Sequence, residues 1–148
     1  MHIKKYSVLF FISLIFLFSS CEKQAEQTEN RDKIIGQWSV VEYEASANEA
    51  SAEIRNLNLS YFVNITRSEV FADEAYIYNF FEIGEYDKVP AYVDGNQVII
   101  SKIELEDHVF RGSGTISEDH QTIEWTYWVE GPYDDHEIEY RATYTFRK

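Results

Sequence analysis

The eight residues Ile34 to Val41, IIGQWSVV, decide how the chain reads. They form the first apolar cluster after a polar stretch, and they open a run of alternating, aromatic-rich segments that continues to the C-terminus. Gly36 has no Cβ and lets the backbone turn closely at the start of a strand. Two residues later Trp38 offers one large apolar side chain to plug the floor of whatever the strands enclose. A first strand is therefore expected over Ile34 to Glu44.

Outward from this stretch the chain keeps a two-residue period. Residues 45–56, ASANEASAEIRN, are rich in Ala, Ser and Glu. They suit a short helix capped by Ser46 or Ser51, with Ile54 and Leu57 turned inward, or a surface loop with one helical turn. Leu57, Leu59, Tyr61, Val63 and Ile65 then alternate with polar residues, the mark of a half-buried strand. Residues 69–83 suit a short strand followed by a longer one with Tyr76, Tyr78 and Phe80 on one face, ended by Gly84. Val89 to Val93 and Gln97 to Leu105 flank Asp94-Gly95-Asn96, a tight-hairpin signal because Asp and Gly accept positive φ. Val109 to Ile116 and Thr122 to Glu130 flank the turn Glu118-Asp119-His120. The second of these puts Ile123, Trp125, Tyr127 and Val129 on one face and Trp128 on the other. After Gly131, Pro132, Asp134 and Asp135, the last strand, Glu137 to Arg147, sets Ile138, Tyr140, Ala142, Tyr144 and Phe146 against Glu139, Arg141, Thr143, Thr145 and Arg147. Turns about every ten residues and no sustained helix give an all-β, antiparallel meander of about eight strands, closed as a barrel or folded as a sandwich.

Gly36-Gln37-Trp38 at the head of such a meander resembles the GxW signature of lipocalin-like barrels. In that family an Arg from the last strand commonly covers the Trp. The resemblance implies this role for Arg147, with Arg141 as runner-up; the alternative is an ordinary core Trp and a solvated terminal Arg. A guanidinium stacked on indole contributes ~0.5–2 kcal/mol. The body from Ile34 onward, most clearly GTISEDHQTIEWTYWV and EIEYRATYTFR, resembles the lipocalin-like domains of small envelope lipoproteins of Bacteroidetes-type bacteria. That resemblance implies a closed barrel with a short helix or lid after the first strand.

The first twenty residues carry their own signal. Lys4 and Lys5 precede an apolar run, Val8 to Phe18, which is shorter than the ~20 residues of a spanning helix and has the length of a secretory h-region. Ser19 and Ser20 lead to Cys21, the single cysteine. This resembles a lipobox, with Phe18 where Leu is usual. It implies a signal peptide over residues 1–20, lipidation of Cys21 by diacylglycerol and amine acylation such as palmitate, and a membrane anchor. Residues 21–33 read as a lipidated polar tether, and residues 34–148 as one lipocalin-like domain. Glu22 after the Cys resembles, loosely, the export tags of surface-exposed lipoproteins, so the address is the outer membrane on its periplasmic or external side.

The whole chain carries a net charge of −13, and the leader holds two of the thirteen basic residues and none of the twenty-six acidic ones, leaving the remainder at −15. Such a field repels phosphate backbones, so nucleic acid is not an expected partner. No Gly-rich phosphate loop, CxxC, HExxH or GxSxG occurs, no catalytic set can be assembled from spacing, and no cofactor is expected. Three acidic triplets end in His: Glu106-Asp107-His108, Glu118-Asp119-His120 and Asp134-Asp135-His136. They read as solvated turns rather than as a metal site. Tyr61, Tyr78, Trp125, Tyr127, Tyr140 and Tyr144 are the residues expected to line any pocket. With a body this short, the same rings alternatively fill the interior. Two functions follow: non-catalytic binding of a small apolar or amphipathic ligand, or docking of a filled barrel onto another envelope protein through outer residues such as Trp128 and the acidic loops. Lipidation has a direct check: mass spectrometry of the membrane fraction is expected to show an acylated N-terminal Cys21, and Cys21→Ala to release the protein into the soluble fraction.

Overall fold

The computed structural model describes residues 25, 29–45, 59–132 and 136–148. Eight strands follow in order: β1 (Gly36–Glu44), β2 (Leu59–Arg67), β3 (Glu74–Tyr78), β4 (Lys88–Asp94), β5 (Gln97–Leu105), β6 (His108–Ile116), β7 (Thr122–Glu130) and β8 (Ile138–Phe146). Each pairs antiparallel with the next, and β1 pairs with β8, so the meander closes into a barrel. Closure leaves no free sheet edge to recruit another chain. The closing register sets Trp38 opposite Phe146 and Glu44 opposite Tyr140. The predicted helix over 45–56 falls almost wholly on residues outside those described.

The inward faces follow the two-residue period. Tyr61, Val63 and Ile65 of β2, Ile123, Trp125, Tyr127 and Val129 of β7, and Ala142 and Tyr144 of β8 are all buried. In β5 the pairing with β6 passes from Ile100–Gly112 to Ile103–Phe110, one extra residue in β5. This bulge switches the inward set from Val98 and Ile100 to Ile103 and Leu105, which pack against the core. Two hairpins are tight: β4–β5 turns at Gly95 with φ of 60°, and β5–β6 turns on Glu106 and Asp107 with φ of 51° and 62°.

One expected pair of strands is replaced by something else. Residues 69–83 hold the single strand β3, with Ala75 and Ile77 inward, and then a 3-10 turn, Phe80–Glu82. Asn79, Phe81 and Glu82 adopt left-handed backbone with φ of 60°, 54° and 56°. The strand period ends there, so Phe80 reaches the core from the turn rather than from the face that carries Tyr76 and Tyr78.

The two ends of the barrel differ. At the floor, Trp38 is fully buried and its indole N–H donates to Ile34 O at 2.9 Å, while Phe146 meets it edge-on at 5.1 Å. Residues 29–32, which the sequence assigns to the tether, are helical. Buried Arg31 donates to Phe71 O at 3.3 Å, and Arg67 grips Asp32 at 2.9 and 3.2 Å. That pairing with Arg67 holds the Asp32 carboxyl below the usual carboxylate range, against a smaller opposing effect of burial.

Gly36 has φ of 142°, and a Cβ there would lie 2.6 Å from the Phe146 ring. Gly36→Ala is expected to cost about 1–3 kcal/mol through backbone strain and the displaced ring. Trp38→Ala is expected to cost about 3–5 kcal/mol. Chemical denaturation of each variant measures both; a near-neutral Gly36→Ala would refute the close-approach account.

Candidate functional site

Residues two apart on a strand share a face, so β1 turns Trp38, Val40 and Glu42 inward. Glu42 is a carboxylate 2% exposed inside an apolar barrel. Its Oε2 accepts a hydrogen bond from Tyr61 Oη at 2.6 Å and another from Tyr127 Oη. Among the described residues no cation pairs with it. Tyr144 Oη lies beside Tyr61 and Glu42 yet makes no hydrogen bond, and Trp125 Nε1 is likewise buried without a partner.

Aromatic rings wall this polar centre. Trp125 and Tyr144 stand 5.5 Å apart, and Tyr127 stacks on Tyr140 at 5.8 Å. Phe80 inserts against Tyr127 at 5.0 Å and Phe110 at 5.6 Å, and Phe81 covers Tyr140 at 5.0 Å. The 3-10 turn thus plugs the mouth, the end opposite Trp38. Space for the two inward-facing rings of β7 comes from β6: Gly112 and Gly114 face Tyr127 and Trp125 in register, and a Cβ at Gly112 would collide with Tyr127 Cβ.

Burial raises the Glu42 carboxyl above the ordinary carboxylate range. The bonds from Tyr127 and Tyr61 pull it partly back, and the nearby Glu82 charge adds to the rise. Burial also raises the hydroxyls of Tyr61, Tyr127 and Tyr144, which keeps them protonated. The centre is therefore a carboxyl of raised proton affinity ringed by neutral hydroxyls, suited to hydrogen bonding and charge pairing.

Five of the six aromatic residues expected at a pocket meet here: Tyr61, Trp125, Tyr127, Tyr140 and Tyr144. Tyr78 does not. With Ala75 and Ile77 inward, its parity sends it outside, where it lines a surface groove of about 610 Å³ with Gln37, Phe62, Asn64 and Glu85. Arg147 does not cover Trp38 either. It follows inward Phe146 by one residue, so it points outward, with its guanidinium 4.3 Å from the Phe62 ring centre and a bond to Gln37 Oε1 at 3.2 Å. Phe146 takes the covering role. Arg141 is exposed and paired with Glu139 at 3.1 Å. Trp128 faces outward as its parity requires and is covered by Arg111, 4.4 Å above its ring, itself forked onto Glu137.

Of the His-ended triplets, Glu106-Asp107 and Glu118-Asp119-His120 lie in turns and His108 opens β6, while Asp134, Asp135 and Cys21 fall outside the described residues. Among the described residues no three carboxylate, imidazole or thiol groups come together, and no helix is long and apolar enough to cross a membrane. Sequence alone singles out neither Glu42 nor Phe81, and it places Phe80 on a strand face with Tyr76 and Tyr78 rather than in a plug. Glu42 was accessible through its shared parity with Trp38 and Val40, whereas the plug had no periodic signal.

Fold and site together define a closed eight-stranded up-and-down barrel with a carboxyl at the centre of an aromatic interior. No protein-family model matches the chain, and no curated protein matches it in sequence.

Glu42 gives a pH signature with a definite sign. Its folded-state affinity for a proton exceeds the unfolded one, so between the unfolded carboxylate value of about 4.3 and its own raised value, stability falls as pH rises. Glu42→Gln removes that loss. The melting temperature of the variant minus that of the wild type is expected to grow as pH rises from 4 to 8, and a flat or falling difference would refute a buried, titrating Glu42.

Proposed function

We propose that the chain is a cell-envelope protein, lipid-anchored through Cys21 to the outer membrane, whose lipocalin-like barrel binds a small apolar or amphipathic ligand in its interior without transforming it. One observation carries the ligand reading: Tyr144 Oη, beside Glu42, and Nε1 of Trp125, whose ring packs on Tyr144 and which shares a cross-strand row with Glu42 through Ala142, are both buried without hydrogen-bond partners. Unpaired buried polar groups cost about 1–3 kcal/mol each. A core selected for stability alone has no reason to keep two of them in one place; a bound molecule that completes them gives that reason. The surrounding rings supply the apolar walls that small-molecule sites use.

The second reading, a filled barrel that docks onto another envelope protein, is favoured by Phe80 and Phe81, which occupy the mouth. Its outer surface includes Phe62, 47% exposed, and the pair Tyr92 and Ile99 on β4 and β5.

Native mass spectrometry separates the two. Protein carrying Cys21→Ala and purified from its own host is expected to retain a small molecule of defined mass, lost when Trp125 and Tyr127 are replaced by Leu. A clean mass for the protein alone, unchanged after incubation with host lipid extract, would overturn the interior-binding reading in favour of the docking one.

A further inference from the structure

We propose that the ligand is an amphipathic amine with an oxygen atom close to its ammonium group, held by Glu42, Tyr144 and Trp125. This deepens the interior-binding reading and rests on it.

The charge comes from Glu42. It accepts hydrogen bonds from two hydroxyls, but no Lys or Arg among the described residues pairs with it, and the charge that acts on it is Glu82 of the mouth turn, a second anion. A buried carboxylate without a countercharge is costly, and a ligand cation removes that cost. The walls suit the same group. Ring faces attract cations, and Tyr61 and Tyr127 bond to Glu42, Tyr144 lies beside it and Trp125 packs on Tyr144. The net charge of −13 adds a field that draws cations toward the molecule.

The two unpaired atoms define the rest of the head group. Tyr144 Oη can accept one ammonium N–H. Trp125 Nε1 is a donor only, so it needs an acceptor on the ligand; because Trp125 packs on Tyr144 and shares a row with Glu42 through Ala142, an oxygen near the nitrogen provides it. A carboxylate head would set a second anion against Glu42, and a hydrocarbon would leave both atoms unpaired. The apolar tail takes the room that Phe80 now fills. Phe80 is held there by a turn with three left-handed residues, anchored by Asn79 Nδ2 donating to Phe62 O at 2.8 Å. Backbone of that kind persists only while the packing around it holds it, so a ligand tail that takes the place of Phe80 removes what keeps the turn strained.

The test uses the full mature chain with Cys21→Ala and four probes of one chain length at pH 7: 1-amino-2-octanol, octylamine, 1-octanol and octanoate. Calorimetry and native mass spectrometry are expected to show one equivalent bound, with the amino alcohol tightest, octylamine next, octanol about tenfold or more weaker than the amino alcohol, and octanoate weakest. Glu42→Gln alters the net charge by a single unit, so attraction to the acidic surface persists. In that variant the preference for amines over octanol is expected to vanish. If it does not fold, Trp125→Phe replaces it, with loss of the advantage of amino alcohol over octylamine as the expected result. Octanol or octanoate binding as tightly as the amines would overturn the amine class and leave interior binding standing. Amine binding at several equivalents, indifferent to both substitutions, would mean surface attraction and overturn the proposal. Binding of none of the four would overturn the interior reading with it.

Discussion

A barrel of eight strands has an interior only just wide enough for its own side chains, and this one must house Trp38, Phe80, Phe110, Trp125, Tyr127 and Tyr144, all buried. The constraint is met at one place. β6 presents Gly112 and Gly114 inward, directly across from Tyr127 and Trp125, so that these rings lie against bare backbone. A Cβ at Gly114 would stand 2.8 Å from both Ile123 and the Trp125 ring. Without those two missing side chains β7 could not keep its aromatic face inside, and the register that joins β7 to β8 and β8 to β1 would have no common interior to enclose. The sequence RGSG at 111–114 looks like a flexible stretch and acts as its opposite, a close-packed seam.

Consistency between local preference and global fold is the rule in sequences that specify one structure, and departures concentrate at functional places. Here the departures share one end. A carboxylate is buried without a cation, two polar atoms lack partners, and three non-glycine residues sit in left-handed backbone within the turn that fills the mouth. Each is unfavourable alone. Together they describe an interior whose present occupant, Phe80, satisfies its apolar walls and leaves its polar centre incomplete.

Where the backbone stays regular, parity alone placed residues correctly: Trp125 against Trp128 on β7, Tyr144 and Phe146 on β8, Tyr61 and Val63 on β2. Gln97–Leu105 and Thr122–Glu130 were legible to the residue, because turn-forming residues bracket both. Reading failed where the period broke. Alternation puts Tyr78 on the same face as Phe80, but Asn79 takes φ of 60° and the strand ends before Phe80, so their parity carries no meaning. The resemblance assigns Arg147 to Trp38, whereas its place one position after inward Phe146 turns it outside. Glu42 was within reach of the same rule and was missed because a charged residue is not expected inside. The bulge in β5 is a further case, since only three-dimensional pairing reveals the extra residue between Ile100 and Ile103.

The contrast between the two ends is the strongest guide to which parts serve stability and which serve function. At the floor every strong group is matched: the Trp38 N–H has Ile34 O, Arg31 has Phe71 O and Asp32, and Asp32 has Arg67. Glycine sits where φ of 142° requires it. Nothing there is left for a ligand to complete, and its chemistry is that of a clasp between the first strand, the last strand and the helical turn before them. Toward the mouth the same chain, with the same two-residue period, leaves Glu42 uncompensated and Trp125 Nε1 unmatched. Solubility does not explain this, because a buried charge adds nothing to the surface. Packing does not explain it either, since Gln at position 42 could accept the same tyrosine hydrogen bonds without a buried charge. What a carboxylate adds over an amide in that position is affinity for positive charge.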